Sequence, residues 1–132
     1  MEIGSENPLD SFCKAIKERY PAIATMADSE YTRLWGDFAD EEFYSYSWFE
    51  VLARALNKEM CGDVPPSEYR DLLVDISNSF KSGDREVRNC IDVAFVENLF
   101  WQVPELQTEN YWNALPEVLK ELYLQFHRKA PI

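Results

Sequence analysis

A chain of 132 residues with 46% apolar content is of one-domain size, long enough to bury about two thirds of the surface its unfolded form exposes without a metal or disulfide staple. Its 24 acidic against 13 basic side chains, a net charge of −11, exclude direct nucleic-acid binding by phosphate neutralisation, which needs surplus Lys and Arg. Three scattered cysteines (Cys13, Cys61, Cys90) and the single His127 make no zinc-ligand spacing and point to free thiols in a reducing compartment.

Asn7 and Pro8 fit the N-cap and first position of a helix with apolar stripe Leu9, Phe12, Cys13, Ile16 and Tyr20, stopped by Pro21. Residues 28–38 predict a short helix capped by Asp28 or Ser29 and broken near Gly36. The alternation of aromatic and polar residues over 43–49 is the sole hint of strand. Ser47 and Glu50 form an S-x-x-E capping box ahead of Val51, Leu52, Ala55 and Leu56, a cap worth about 1 kcal/mol. That helix is expected to end near Cys61 and Gly62. Pro65, Pro66 and Ser67 open the next, with stripe Tyr69, Leu72, Leu73, Ile76 and Phe80, closed by Gly83.

Asp84 caps the longest apolar segment, residues 84–101. Val87, Ile91, Ala94 and Phe95 make one stripe of it, and Val93, Val96 and Phe100 another almost opposite. A helix apolar on both faces belongs in the centre of a fold. Pro104 ends it, Thr108 caps a short turn through Tyr111, Trp112 and Leu115, and Pro116 starts a last helix with Val118, Leu119, Leu122 and Phe126. Arg128 and Lys129 suit its C-terminal dipole. The expectation is an all-α single domain over 1–132, a bundle of five or six helices around the segment at about 84–101. The first eight residues lack the basic and apolar pattern of a signal peptide, and no window approaches the ~20 apolar residues of a membrane span. A cytoplasmic protein is expected.

The charge is segregated. Residues 28–50 carry seven acids against Arg33 alone, and residues 89–119 carry Asp92, Glu97, Glu105, Glu109 and Glu117 with no base. The first stretch is also rich in aromatic rings, so Asp37, Asp40, Glu41, Glu42, Tyr44, Tyr46 and Trp48 are the candidate partner-binding residues. Charge steers the encounter with a basic partner, and rings supply buried contact. The same rings serve equally as core, and acidity also serves solubility. The spacing of Asp37, Asp40, Glu41 and Glu42 lacks the alternating ligands and turn glycine of a calcium loop, so no metal or cofactor is expected.

No nucleotide-binding, hydrolase or metalloprotease motif occurs, and any triad would depend on His127 alone. Glu97 falls among apolar wheel positions between Cys90 and Val93, near Trp101. A carboxylate there must be paired, hydrogen-bonded or partly exposed at a helix crossing, and pairing with an arginine such as Arg88 or Arg54 is the expected account. No catalytic residue is assigned, and a small enzyme using Glu97 or Asp92 is the least favoured of three readings.

The run GDREVRNCIDVAFVENL over residues 83–99 resembles the signature helix of a group of small helical bacterial proteins often encoded beside polymorphic toxin genes. Residues 9–20 and 48–56 share the likeness more loosely, and the general type is similar to the immunity proteins of contact-dependent inhibition systems. The resemblance implies a cytosolic antidote that binds and blocks a toxin domain and has no activity of its own. Immunity surfaces diverge with their toxins, so it transfers no binding residue. The expected function is occlusion of a basic toxin, a nuclease above all, by a protein that is a monomer when free. The alternative is an acidic DNA mimic or regulatory adaptor of a nucleic-acid enzyme.

Overall fold

The structure, a computed structural model, describes residues 7–36 and 44–132. Every regular element among them is helical, in seven α-helices joined by short 3₁₀ and π turns. The all-α expectation holds, with one or two more helices than the sequence suggested.

Helix α1 spans Pro8–Arg19 and begins as expected: Asn7 Oδ1 accepts the Asp10 N–H at 2.8 Å, and Pro8 stands where no N–H is needed. Pro21 ends α1 and at once opens α2, Pro21–Trp35. The short helix expected over 28–38 is therefore the second half of a longer one. Its inward face of Ile23, Ala24, Ala27 and Tyr31 is small enough to hide from hydropathy, and it lets α2 pack closely on the next helix.

That next helix, α3, spans Ser45–Cys61 and packs against α1, α2 and the later segments Arg85–Cys90, Ile91–Phe95 and Glu105–Ala114. Five of its successive buried side chains, Trp48, Phe49, Val51, Leu52 and Ala53, leave it almost no solvent face, so α3 shares the centre with the 84–101 segment. Its start corrects two expectations. The helix begins two residues before Ser47, with Tyr44 as N-cap, so Ser47 is not a cap and residues 45–49 are not strand. Tertiary partners replace the local box: the Tyr31 hydroxyl accepts the Tyr44 N–H at 3.0 Å, and Ser45 Oγ donates to Asp10 Oδ1 at 2.6 Å.

A 3₁₀ turn at Pro66–Tyr69 leads into α4, Arg70–Ser82. Gly83 follows because the chain turns too tightly for a side chain: a Cβ there would lie 2.3 Å from the Ser79 carbonyl oxygen and 2.9 Å from Val87 Cγ1. Asp84 then caps α5, Arg85–Cys90, its Oδ1 accepting the Val87 N–H at 3.0 Å. The segment expected as one long helix changes pitch. A π turn over Ile91–Phe95 and a 3₁₀ turn over Val96–Asn98 follow α5, and the wider turn shifts the phase of what comes after it. Val87, Ile91, Ala94, Phe95, Val96 and Phe100 are all buried, and of the two expected stripes only Val93 reaches solvent. After a corner at residues 99–104, α6 spans Glu105–Ala114 and α7 spans Glu117–His127. Thr108 lies inside α6 and caps nothing; its hydroxyl donates back to the Val103 carbonyl at 3.2 Å.

Three substitutions separate local from tertiary control, read as changes in urea-unfolding stability. Phe95→Ala empties a fully buried ring site and should cost about 3 to 5 kcal/mol. Asp84→Ala removes a working cap and should cost about 1 kcal/mol, whereas Ser47→Ala should stay within about 0.5 kcal/mol of wild type.

Candidate binding surface

The structure disperses the aromatic residues expected to form one patch. Trp48 is wholly buried, edge-on to Phe49 with ring centroids 5.2 Å apart. Its Nε1 donates to Asp28 Oδ1 at 2.8 Å and Lys17 Nζ lies 5.2 Å above its ring, so it is a core residue with its polar edge satisfied. Tyr46 is half-buried, and its hydroxyl accepts from Asn89 Nδ2 at 2.8 Å. Tyr44 alone of the three is exposed, with its ring 5.2 Å from that of Trp35. Asp37, Asp40, Glu41 and Glu42 lie outside the described residues.

The second acidic stretch presents what the first does not. Trp101 is 67% exposed and Leu106 is 64% exposed, with Glu105 and Glu109 also on the surface. Trp101 is held out by the backbone: Phe100 and Gln102, on either side of it, both adopt left-handed conformations, with φ of 71° and 57°. Such conformations are costly for residues other than glycine and persist where surrounding contacts enforce them. Here the contacts are identifiable. Asn57, buried on α3, accepts the Phe100 N–H on Oδ1 and donates from Nδ2 to the Asn98 carbonyl, both at 2.8 Å. The Phe100 ring turns inward against Trp112 and Tyr123, at centroid distances of 6.1 and 5.6 Å. Neighbouring residues are thus committed to opposite sides of the chain, Phe100 to the core and Trp101 to solvent.

Beside Trp101, and shared with it, runs a groove of about 380 Å³ lined by Glu30 and Arg33 of α2, Arg54, Asn57, Lys58 and Cys61 of α3, and Trp101 and Gln102 of the corner. Glu30 anchors it, with Arg33 Nε and Nη2 donating to its two oxygens at 2.9 and 2.7 Å. That fork holds the Glu30 carboxyl below its usual range. Nothing in the sequence singled out this groove, because its residues come from three separated segments and each base is unremarkable alone.

Glu97 does not take the partner expected of it. Arg54 lies nearest Glu50, at 3.9 Å, and the Arg88 guanidinium stacks 4.9 Å from the Phe80 ring. The His127 ring instead stacks on Tyr123 at 4.0 Å, with Nε2 3.3 Å from the Glu97 carbonyl oxygen. Desolvation first, and then the charge of Asp92, raise the Glu97 side-chain pKa, while His127 opposes them. All three cysteines are free. Burial pushes the Cys13 thiol up to about 12 and raises that of Cys90 as well, while Cys61 is exposed. Among the described residues no group of three His, Cys, Asp or Glu side chains could hold a metal ion, and no helix is long and apolar enough to cross a membrane.

A family model described as a domain of unknown function, DUF7674, matches residues 13–129. The chain belongs to that family. No curated protein and no solved structure matches it. The DUF7674 match runs from within α1 to just beyond α7, and so takes in α3, the Asn57 contacts and the Trp101 corner.

Two measurements test this description. Asn57→Ala leaves the Phe100 N–H and the Asn98 carbonyl without their partner and should cost about 1 to 3 kcal/mol, seen as a lower urea midpoint. For Glu97, a pKa raised on folding means that the folded state holds its proton more tightly than the unfolded chain. The associated stability is complete below the ordinary glutamate value of 4.5 and is lost as pH rises through the raised value. Glu97→Gln should therefore unfold at a higher temperature than wild type at neutral pH, with the gain vanishing in acid.

Proposed function

We propose that this DUF7674 chain is a non-catalytic binding domain that blocks a basic protein, in the manner of an immunity protein occluding a toxin nuclease. The observation that carries the reading is the corner at Trp101: the most exposed large apolar side chain described stands in a stretch of sequence with five acids and no base. Tryptophan is enriched among binding hot spots, and the carboxylates of this stretch of sequence, in a chain of net charge −11, attract a cationic face from a distance. Leu106 adds a second apolar contact, and Glu105 and Glu109 flank it in sequence. A nuclease must be cationic where it grips phosphates, so an acidic cover competes for that face by charge as well as by shape. The acids Asp37, Asp40, Glu41 and Glu42 belong to the same proposal as long-range steering charges, Tyr44 as an exposed ring, and Tyr46 as a half-buried one. Trp48 is wholly buried and takes no part in the surface.

The test is capture from the protein's own strain, followed by an activity assay on what is captured. The tagged chain should retain a basic protein and inhibit its enzymatic activity at equimolar ratio. Trp101→Ala should weaken the complex by about 2 kcal/mol, roughly thirtyfold in Kd, mainly through faster dissociation. Reversing Glu105 and Glu109 to Lys should slow association and flatten its salt dependence, and reversing Asp40, Glu41 and Glu42 should do the same to a separate degree. A complex indifferent to Trp101→Ala and to both reversals, or a captured protein whose activity is untouched, would overturn the proposal.

A further inference from the structure

We propose that the groove between α2, α3 and the Trp101 corner is a binding site for a phosphorylated ligand carrying a planar ring, of the nucleoside diphosphate class. In a chain with almost twice as many acids as bases, three of the bases, Arg33, Arg54 and Lys58, line one groove against the single carboxylate of Glu30. Arg54 and Lys58 stand four residues apart on α3, a like-charge spacing that works against a helix instead of supporting it. Neither is neutralised at hydrogen-bonding distance among the described residues. Arg54 Nη2 is 3.9 Å from Glu50, and Lys58 Nζ is 3.9 Å from Glu30, both beyond the range of a hydrogen bond.

Arg33 differs from these two. Its Nε and Nη2 are forked onto Glu30, whose side chain is only 12% exposed, which fixes the guanidinium plane. Its other N–H groups are not used by that fork. The groove thus offers one oriented guanidinium, a second held only loosely by Glu50 at 3.9 Å, and an ammonium, with a surplus of two positive charges over its own carboxylate. Counting Glu50, which pairs loosely with Arg54 from outside the lining, the surplus is still one.

That surplus matches a phosphate dianion better than a single carboxylate, and guanidinium forks suit phosphate oxygens. The remaining wall is Trp101, whose exposed indole is a stacking surface for a flat ring. The volume of about 380 Å³ falls at the small-ligand end of binding-site sizes. The inference goes beyond the protein-binding proposal: it draws on cations that the proposal does not use, and shares with it only Trp101.

The test titrates the full chain with ADP, adenosine and inorganic phosphate in separate calorimetric runs at low salt. ADP should bind at least about tenfold more tightly than either fragment, a gain of about 1.4 kcal/mol. Arg54→Gln with Lys58→Gln should weaken ADP and phosphate together by tenfold or more. Trp101→Phe should retain the advantage of ADP over phosphate, and Trp101→Ala should remove it; far-UV circular dichroism confirms that each variant is folded. Leu106→Ala, which changes no charge and lies outside the groove lining, should leave ADP binding unchanged, and Arg54→Gln with Lys58→Gln tests only the ligand site, so the ligand site and the partner surface fail or succeed separately. No saturable ADP binding, ADP binding no tighter than phosphate, or ADP binding indifferent to the Arg54 and Lys58 pair would each overturn the inference.

Discussion

The side-chain amide of Asn57 joins the regular part of this fold to the irregular part. It lies on the most enclosed helix, and both of its polar atoms are used by the backbone of a different segment, the Asn98 carbonyl and the Phe100 N–H. A buried amide with both ends satisfied contributes to stability, and one with either end empty is a penalty. The corner must therefore take a conformation that presents one donor and one acceptor to α3 at the same time. The left-handed backbone at Phe100 is part of that conformation. Once it is set, Phe100 turns into the aromatic cluster with Trp112 and Tyr123, and Trp101 is left outside.

The change of pitch before the corner belongs to the same solution. An apolar segment with stripes on two faces satisfies both as one straight helix only if neighbours cover it all round. Here a π turn and then a 3₁₀ turn rephase the side chains, so that Ile91, Phe95 and Val96 are buried while Asp92 and Glu97 stay only partly desolvated. Desolvation raises the pKa of both carboxyls. The placement of these acids thus follows from packing, with no pairing to an arginine.

Helix boundaries were legible where the signal is local. Asn7 with Pro8, Gly83 with Asp84, and Pro116 act through their own backbone or the next turn, and each stands at or within a residue of its expected place. What the sequence hid depends on partners remote in the chain. Ser47 and Glu50 have the form of a capping box, yet α3 starts earlier because Tyr31 and Asp10 supply contacts that no local pattern encodes. The extent of α2 was obscured by its small inward residues, and Pro21 read as a stop is equally a start. Tyr44, Tyr46 and Trp48 alternate in sequence, but helical geometry sends Trp48 into the core and leaves Tyr44 outside. The groove was invisible in principle, since Arg33, Arg54 and Trp101 meet only when α2, α3 and the corner are assembled.

The uneven burial of the three cysteines gives the native chain a property normally reached only by engineering. The thiolate is the form that attacks a thiol reagent, and Cys13 and Cys90 are both enclosed, with burial raising their pKa. Cys61 is open to solvent on the wall of the groove, with its sulfur 3.9 Å from the Gln102 carbonyl oxygen. Under native conditions the protein therefore behaves toward a maleimide or a spin label as if it had one cysteine. A label introduced this way sits beside Trp101 and reports on that corner from an unaltered sequence.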